Sequence, residues 1–327
     1  MKTLTEEIAT LKIGEPTAFR NLTLFPLLRE EPKYEEPEYL LLEDAIARGL
    51  ASVTELNGGT VPELQFENRA DKPVLLVDGE ELVGAKQNRV LNLTILAPAR
   101  KKLVIPVACV EAGRWQMQSP DFKPANYVMY AMGRAARAEH VTESMRTTGT
   151  RRANQSSVWA DIASKMARME APSPTQRMSA AYERYAVSME EYVRAFSWQP
   201  RQTGVVFVIE GATAGADVFD HPVTMNRFLP KLLRSYALDA IDAAARKGSE
   251  TGLDAGKLLS LVSAARTCSE DAIGLGKDIR LLGNDVSGGA LWANDRYVHV
   301  CAFVSGNGSG SPKVETRINR PTFRFRR

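Results

Sequence analysis

The sequence has few cysteines and histidines and no long run of apolar residues. Its 327 residues include three cysteines and three histidines, and the cysteines, Cys109, Cys268 and Cys301, are far apart. An odd number of scattered cysteines predicts reduced thiols in the cytosol and excludes a disulfide-stapled scaffold. No stretch approaches the ~18 apolar residues that a transmembrane helix needs, and glutamates stand where a signal peptide needs an apolar core. These absences predict a cytoplasmic protein without a membrane segment.

An excess of one charge and the spacings of familiar catalytic motifs are also missing. Lys and Arg number 42, and Asp and Glu 39, so the net charge of +3 is too small to indicate nucleic acid by itself. There is no Gly-x-x-x-x-Gly-Lys-Ser/Thr loop and no Ser/His/Asp or Cys/His spacing typical of nucleophilic hydrolases. His299 and Cys301 share a face of a predicted strand, but no second ligand pair stands at zinc spacing. We therefore predict no metal site and no cofactor.

The apolar residues, 44% of the chain with tyrosine and tryptophan included, are distributed as in a folded protein with many short strands. Short segments rich in Leu, Val, Ile and Thr, separated by turn signals, predict an antiparallel sheet of sandwich or barrel type. They cover residues 19–28, 38–42, 52–56, 63–68, 73–77, 80–84, 89–96 and 102–110. A capping box at Thr3 and Glu6 predicts a short N-terminal helix, and a second helix is expected over 43–49.

The pattern changes after Trp115. Residues 116–155 are polar, rich in arginine and weakly periodic, which favours a mobile loop. Helical periodicity returns over 156–170 and 175–196, where an aromatic and Met stripe predicts a core-facing seam. We then expect a strand over 204–209, a turn at 211–217, helices over 226–247 and 254–267, a strand at 279–282, and a hairpin joined by Asn294-Asp295.

These elements predict an α+β protein. We divide it into a β-rich domain (1–115), an arginine-rich loop and helical segment (116–200), an α/β portion that packs back on the first domain (201–304) and a flexible basic tail (305–327).

The densest cluster of polar residues interrupts two apolar strands in the first domain. Lys86, Gln87, Asn88 and Arg89 follow a glycine-containing bend, and only Asn88 is a common turn former. Lys and Arg at such a bend can hold a phosphate or carboxylate, with orientation supplied by the two amides. The competing interpretation is a solvated loop.

Five further side chains are weaker candidates. Arg114 and Trp115 end a predicted strand and can bind a phosphate or stack on a base, but the pattern slightly favours an ion pair of Arg114 with Glu111 over a half-buried Trp. Glu81 and Glu111 are the candidate catalytic carboxylates, and His221, which follows Asp220 in a predicted loop, is a candidate general base.

Two runs of this sequence resemble the hallmark of a bacterial family, the ARG- and rhodanese/phosphatase-superfamily-associated protein domain. They are Val77 to Arg89, which contains GAKQNR, and Val104 to Trp115. Similar blocks lie at residues 19–27, 40–49, 204–219 and 232–240, so that the resemblance covers roughly 17–303. The family takes its name from gene neighbours, and the resemblance therefore implies a link to ADP-ribose, NAD-derived nucleotides or nucleic-acid processing in bacterial stress or conflict. It implies no catalytic residues.

The leading hypothesis is recognition of an anionic, nucleotide-like ligand by Lys86, Gln87, Asn88, Arg89, Arg114 and Trp115, with Glu81 near the ribose or acting as a base. Whether chemistry follows binding is open. One alternative is a non-enzymatic interaction module whose protein partner is encoded by a neighbouring gene. Another is RNA binding by the arginines of residues 134–152 and by the basic tail.

Overall fold

The computed structural model describes residues 1–29, 36–244 and 255–304. In these ranges the helices are α1 (Leu4–Ile8), α2 (Leu42–Ala47), α3 (Ala131–Thr148), α4 (Gln155–Arg168), α5 (Ser179–Arg184), α6 (Ala186–Ala195), α7 (Pro222–Ala244) and α8 (Ala255–Ala264). The strands are β1 (Lys12–Ile13), β2 (Thr17–Phe19), β3 (Leu22–Leu28), β4 (Leu40–Leu41), β5 (Ala51–Glu55), β6 (Glu63–Asn68), β7 (Val74–Leu76), β8 (Glu80–Gly84), β9 (Arg89–Leu91), β10 (Ile95–Ala97), β11 (Lys102–Cys109), β12 (Phe122–Val128), β13 (Gln202–Ile209), β14 (Ala212–Phe219), β15 (Arg266–Asp271), β16 (Lys277–Leu282), β17 (Val286–Ala293) and β18 (Arg296–Val304). The α+β fold class is confirmed.

The largest sheet joins strands from both ends of the chain. Its order is β1-β3-β13-β14-β18-β17-β16-β15, with β2 paired to β3. All of its ladders are antiparallel, and β3 runs beside β13 with Leu22 opposite Ile209. The first strands of the chain therefore share a sheet with residues 202–304, while the proposed division into domains stays a prediction.

Two smaller sheets position the candidate site. One has the order β12-β8-β9-β11-β6-β5, and the other the order β10-β7-β4. The predicted single strand over 89–96 is wrong, because β9 and β10 belong to different sheets. In the six-stranded sheet β9 lies between β8 and β11, so that Arg89 is opposite both Leu82 and Cys109.

Several local predictions are confirmed. Thr3 and Glu6 form the capping box of α1, α2 occupies the predicted position, and the C-terminal hairpin turns at Asn294 and Asp295, both with positive φ. The aromatic seam is also core: Tyr182, Met189, Tyr192 and Phe196 are buried.

Other local predictions are wrong. The segment at 211–217 is strand β14, and the single helix expected over 175–196 is interrupted at Tyr185 between α5 and α6. The segment expected to be a mobile arginine-rich loop contains β12 and the long helix α3. Arg134 and Arg137 lie on the buried face of α3 beside Ala138 and Val141, and these two cations break the apolar periodicity by which helices are recognised.

The predicted linker and basic tail at 305–327 lie outside the described residues. Among the helices of the described ranges, none has both the length and the hydropathy of a membrane-spanning segment.

Candidate functional site

The bend between β8 and β9 turns the polar string toward the protein interior. Gly84 has φ +133°, and a Cβ at this position would lie 2.6 Å from the Ser119 Oγ and 2.7 Å from the Asp121 carbonyl oxygen. Ala85 follows with φ 40°. A glycine is therefore needed where the chain leaves β8, because both the backbone conformation and the close approach exclude a larger residue.

Hydrogen bonds join this bend to the end of β11. Gln87, Asn88 and Glu111 are all buried. The Gln87 Nε2 donates to the Glu111 carbonyl oxygen at 2.9 Å, and the Asn88 backbone N–H donates to the Glu111 carboxylate at 3.1 Å. The Asn88 Nδ2 also donates to Glu81 at 2.9 Å. The two amides therefore hold the bend in place with most of their bonding capacity.

Arg114 closes the same network from the loop after β11. Its guanidinium donates to the Glu111 carboxylate at 2.6 Å, to the Asn88 Oδ1 at 3.2 Å and to the Ala85 carbonyl oxygen at 2.6 Å. Burial alone would raise the pKa of Glu111, but Arg114, the Thr175 hydroxyl and the Asn88 N–H together bring that pKa below its usual value. The ion pair considered in the sequence is present, and both charges are compensated by each other.

Arg89 differs from Arg114 because its charge has no acidic hydrogen-bond partner. The side chain is fully buried, with 0% exposure. Its Nη1 donates to neutral oxygens, the Gln87 Oε1 at 3.1 Å and the Asn88 carbonyl at 3.4 Å. Among the described residues, Nε and Nη2 have no hydrogen-bond partner at all. Burial accordingly lowers the pKa of this guanidinium, an effect that electrostatic interaction with Cys109 and Glu55 opposes in part.

The Trp115 ring lies against both Arg89 and Lys86. The Trp115 side chain is 47% exposed, and its ring centroid lies 5.8 Å from the Arg89 Cζ and 5.0 Å from the Lys86 Nζ. Lys86 is partly buried and its ammonium donates to the Gly58 carbonyl oxygen. A half-exposed aromatic ring therefore lies close to two cationic groups.

We call the residues that meet here the Arg89 cluster: Glu81, Lys86, Gln87, Asn88, Arg89, Glu111, Arg114 and Trp115. All eight residues were candidates from the sequence. The structure brings them together around a buried bend, and the competing interpretation of a solvated loop is wrong for Gln87, Asn88 and Arg89.

Cys109 is a neighbour of Arg89 that the sequence did not single out. It lies directly opposite Arg89 in the β9–β11 ladder, and its thiol donates to the Gln87 Oε1 at 3.2 Å. Burial raises the pKa of the thiol, and the Arg89 charge offsets part of that rise. The Gln155 side chain from α4 pairs with both the N–H and the carbonyl of Cys109 at 2.8 Å. The proximity of Cys109 to Arg89 follows from the pairing of β9 with β11 and cannot be recognised from the local sequence.

His221 lies elsewhere in the fold, at the start of α7, where its Nδ1 accepts a hydrogen bond from the Val223 N–H at 3.2 Å. Its role as a general base stays a prediction. His299 is buried, with its Nδ1 at 2.7 Å from the Thr94 hydroxyl and its Nε2 at 3.2 Å from Asp217. Within the described part of the chain, no group of three or more His, Cys, Asp or Glu residues is arranged to hold a metal ion.

Glu81 is the one carboxyl of the Arg89 cluster that the structure favours in its protonated form. It is completely buried, and this burial raises its pKa to about 8. The Tyr127 hydroxyl and the Asn88 amide lower that pKa, but they offset only part of the desolvation. Glu81 is therefore suited to donate or accept a proton near neutral pH.

The pH dependence of stability tests this assignment. Because the pKa of Glu81 is raised in the folded state, its contribution is complete below its ordinary pKa near 4.5 and is lost as the pH rises to about 8. Between pH 5 and 8 we expect the stability of the wild type to fall relative to a Glu81→Gln variant by about 1.4 kcal/mol per pH unit. Urea unfolding at pH 5, 6.5 and 8 measures this slope, and parallel pH profiles for the two proteins would contradict the assignment.

Comparisons with known proteins give one match. The sequence model of a protein family, described as the ARG and Rhodanese-Phosphatase-superfamily-associated Protein domain, matches residues 10–303. No curated protein and no solved structure matches the chain.

Proposed function

The chain belongs to the ARG and Rhodanese-Phosphatase-superfamily-associated Protein domain family, and from this premise we propose that its Arg89 cluster binds an anionic, nucleotide-like ligand. ADP-ribose, an NAD-derived nucleotide or a nucleic-acid end has the required chemistry. The supporting observation is Arg89, a fully buried guanidinium with two nitrogen atoms that have no hydrogen-bond partner among the described residues. A buried charge without an anion is costly, and a bound phosphate removes that cost.

The charges of the surrounding residues favour an anion. Arg114 is neutralised by Glu111, and Glu81 is largely protonated at neutral pH because burial raises its pKa to about 8. Lys86 and Arg89 then remain, opposed by the Glu55 side chain, which accepts a hydrogen bond from the Lys86 backbone N–H at 3.1 Å. The excess is one positive charge in a region of low dielectric constant, where electrostatic attraction is strongest.

Trp115 sets the route to Arg89. Its ring lies over the guanidinium, and rotation of this half-exposed side chain is the route by which we propose that the ligand reaches the buried Arg89. The residue lies in the loop between β11 and β12 and is about half exposed, so few contacts oppose the rotation. Once displaced, the ring offers a flat face for stacking to the sugar or base.

Titration calorimetry with ADP-ribose, NAD and inorganic pyrophosphate tests the proposal. We expect wild type to bind at least one of them, and Arg89→Met to weaken that binding by about 30-fold or more, since loss of one partner in a buried charged contact costs about 2–5 kcal/mol. Arg146→Met is the matched control, because Arg146 is an exposed arginine on α3 with 61% of its side chain accessible.

The result that overturns the proposal is equal affinity of wild type and Arg89→Met, or no binding by wild type at millimolar concentration. Equal weakening by Arg146→Met would assign the effect to net charge alone and would also count against a specific site.

Two of the arginines on which the alternative of RNA binding depends are not accessible to a ligand. Arg134 and Arg137 are buried in ion pairs with Asp78 and Asp217, so that neither reaches a phosphate backbone. The alternative of a protein-interaction module stays a prediction, and a titration in which no small anion binds would favour it.

A further inference from the structure

We propose that strand β15 pairs with β15 of a second copy of this chain, in antiparallel orientation about a two-fold axis at Cys268. β15 is the last strand of the largest sheet, and within the described ranges its only strand partner is β16. All of its residues are exposed except Cys268, which is partly exposed. Such an edge presents a row of backbone N–H and carbonyl groups to which another strand can bind.

The backbone groups that face outward from β15 belong to alternate residues. In an antiparallel ladder, a residue directs both its N–H and its carbonyl toward the neighbouring strand or turns both away. The Ala272 N–H donates to the Gly276 carbonyl oxygen at 3.1 Å just beyond β15, so every second residue back from Ala272 bonds to β16. The residues that turn both groups away from β16 are therefore Thr267, Ser269 and Asp271.

These outward groups restrict the register that a second copy can adopt. The Asp271 carbonyl oxygen already accepts a hydrogen bond from Arg151 at 2.5 Å. The outward groups of Thr267 and Ser269 have no hydrogen-bond partner among the described residues. Placing Thr267 opposite Ser269 of the second copy pairs the N–H and carbonyl of both residues, and the two-fold symmetry repeats these bonds on the other side of the axis.

The same register brings opposite charges together. It places Arg266 opposite Glu270 of the second copy, and Glu270 opposite Arg266 of the second copy. Both side chains are exposed, and neither forms an ion pair with another described residue. Opposite charges directly across an antiparallel pair are stabilising, and like charges are destabilising. An axis at Thr267 or Ser269 would bring neither pair together, so charge favours the register that the backbone groups also favour.

Cys268 then lies opposite Cys268 of the second copy. Its backbone groups face β16, so the two cysteines form a pair without hydrogen bonds to each other, in which the Cα atoms are about 4.5 Å apart. This separation lies within the range of about 4.4–6.8 Å that a disulfide spans. A thiol oxidant can therefore trap the register, and the other two cysteines, Cys109 and Cys301, are buried.

Charge reversal tests the proposed pairing. One strand pair is a small interface, so we expect a weak, reversible dimer, which sedimentation velocity at up to millimolar protein concentration measures. Arg266→Glu and Glu270→Arg should each weaken self-association by about tenfold or more, because like charges then face each other on both sides of the axis. An equimolar mixture of the two variants should associate as wild type does, since each variant offers the charge that the other lacks. Asp285→Arg, at an exposed residue between β16 and β17, is the control for net charge and should associate as wild type does.

Oxidation with diamide gives the second readout. Two Cys268 thiols lose two electrons and two protons to diamide, which is reduced to the hydrazine, and one disulfide links the two chains. We expect a linked dimer from wild type and from the mixture, about tenfold slower linkage in each single charge variant because its dimer is less populated, and no linkage in Cys268→Ser.

Several results would overturn the proposal. One is a wild type that stays monomeric over the whole concentration range and forms no Cys268 disulfide. Another is association and linkage by Arg266→Glu and Glu270→Arg that equal those of wild type, because the contact then lies elsewhere or arises from random collision. A mixture that associates no more tightly than either variant alone, or Asp285→Arg that is weakened as much as Glu270→Arg, would exclude specific pairing of the two charges.

Discussion

Replacing Arg134 by methionine is expected to lower the free energy of unfolding by about 3–5 kcal/mol, the usual cost of removing one partner from a buried ion pair. Arg134 is fully buried on α3. Its guanidinium donates to both oxygens of Asp217, at 3.0 and 2.6 Å, and to Asp78 at 3.1 Å. Methionine has a similar length but leaves the Asp217 carboxylate at 0% exposure without its cation.

Asp217 is ionised in the folded protein, so that loss of Arg134 leaves a buried negative charge. Burial by itself would raise the pKa of Asp217, but Arg134 and His299 bring that pKa down to about 2. This carboxylate stabilises the fold above its ordinary pKa near 3.8, and the contribution is lost as the pH falls to about 2. Asp217 lies on β14, and His299 lies on the neighbouring strand β18, opposite Phe219. The ion pair between Arg134 and Asp217 therefore connects α3 to the largest sheet.

Urea unfolding at neutral pH measures the effect, with Arg146→Met as the control for loss of one positive charge. A change of less than about 1 kcal/mol for Arg134→Met, the level of an exposed ion pair, would show that the carboxylates do not depend on this cation.

Replacing Arg89 by methionine is expected to raise the free energy of unfolding, the opposite of the effect expected at Arg134. Arg89 is as buried as Arg134, but its hydrogen bonds go to neutral oxygens and two of its nitrogens have none among the described residues. Methionine removes a desolvated charge and leaves no carboxylate behind. We expect the free energy of unfolding of the ligand-free protein to rise by about 1–4 kcal/mol, by analogy with the range observed when buried ion pairs are replaced by apolar residues of similar volume.

The comparison of the two arginines separates a structural from a functional role. Residues that serve binding are often retained at a cost in stability. If Arg89→Met were instead destabilised by several kcal/mol, Arg89 would be a structural residue like Arg134, and its contacts with Gln87 and Trp115 would be worth more than the cost of burying its charge.

The candidate site was predictable from the sequence because most of it is local. Lys86 to Arg89 lie in one hairpin, and four polar residues between two apolar strands are conspicuous in any sequence. Glu111 and Arg114 follow β11, the neighbour of β9, so sheet pairing alone brings them to the same end.

The parts that could not be predicted depend on contacts between distant segments. Asp78 precedes Gly79, a pair typical of a tight turn, yet it accepts hydrogen bonds from Arg134 and Arg137, 56 and 59 residues further along the chain. In the sequence, Cys109 resembles the apolar residues of its strand. Its contact with Gln155, 46 residues further along the chain, cannot be recognised from its local pattern. Arginine side chains are normally exposed. A prediction from the local sequence therefore places Arg134 and Arg137 at the surface, although both are buried in the core.

Urea unfolding of wild type and Arg89→Met, each with and without pyrophosphate, tests most directly whether Arg89 is held unpaired for an anion. Pyrophosphate at 100 times its Kd should stabilise wild type by about 2.7 kcal/mol. The variant should be more stable than wild type without pyrophosphate and should gain less than about 1 kcal/mol from its addition. A variant that is less stable than wild type and gains as much from pyrophosphate would contradict the claim.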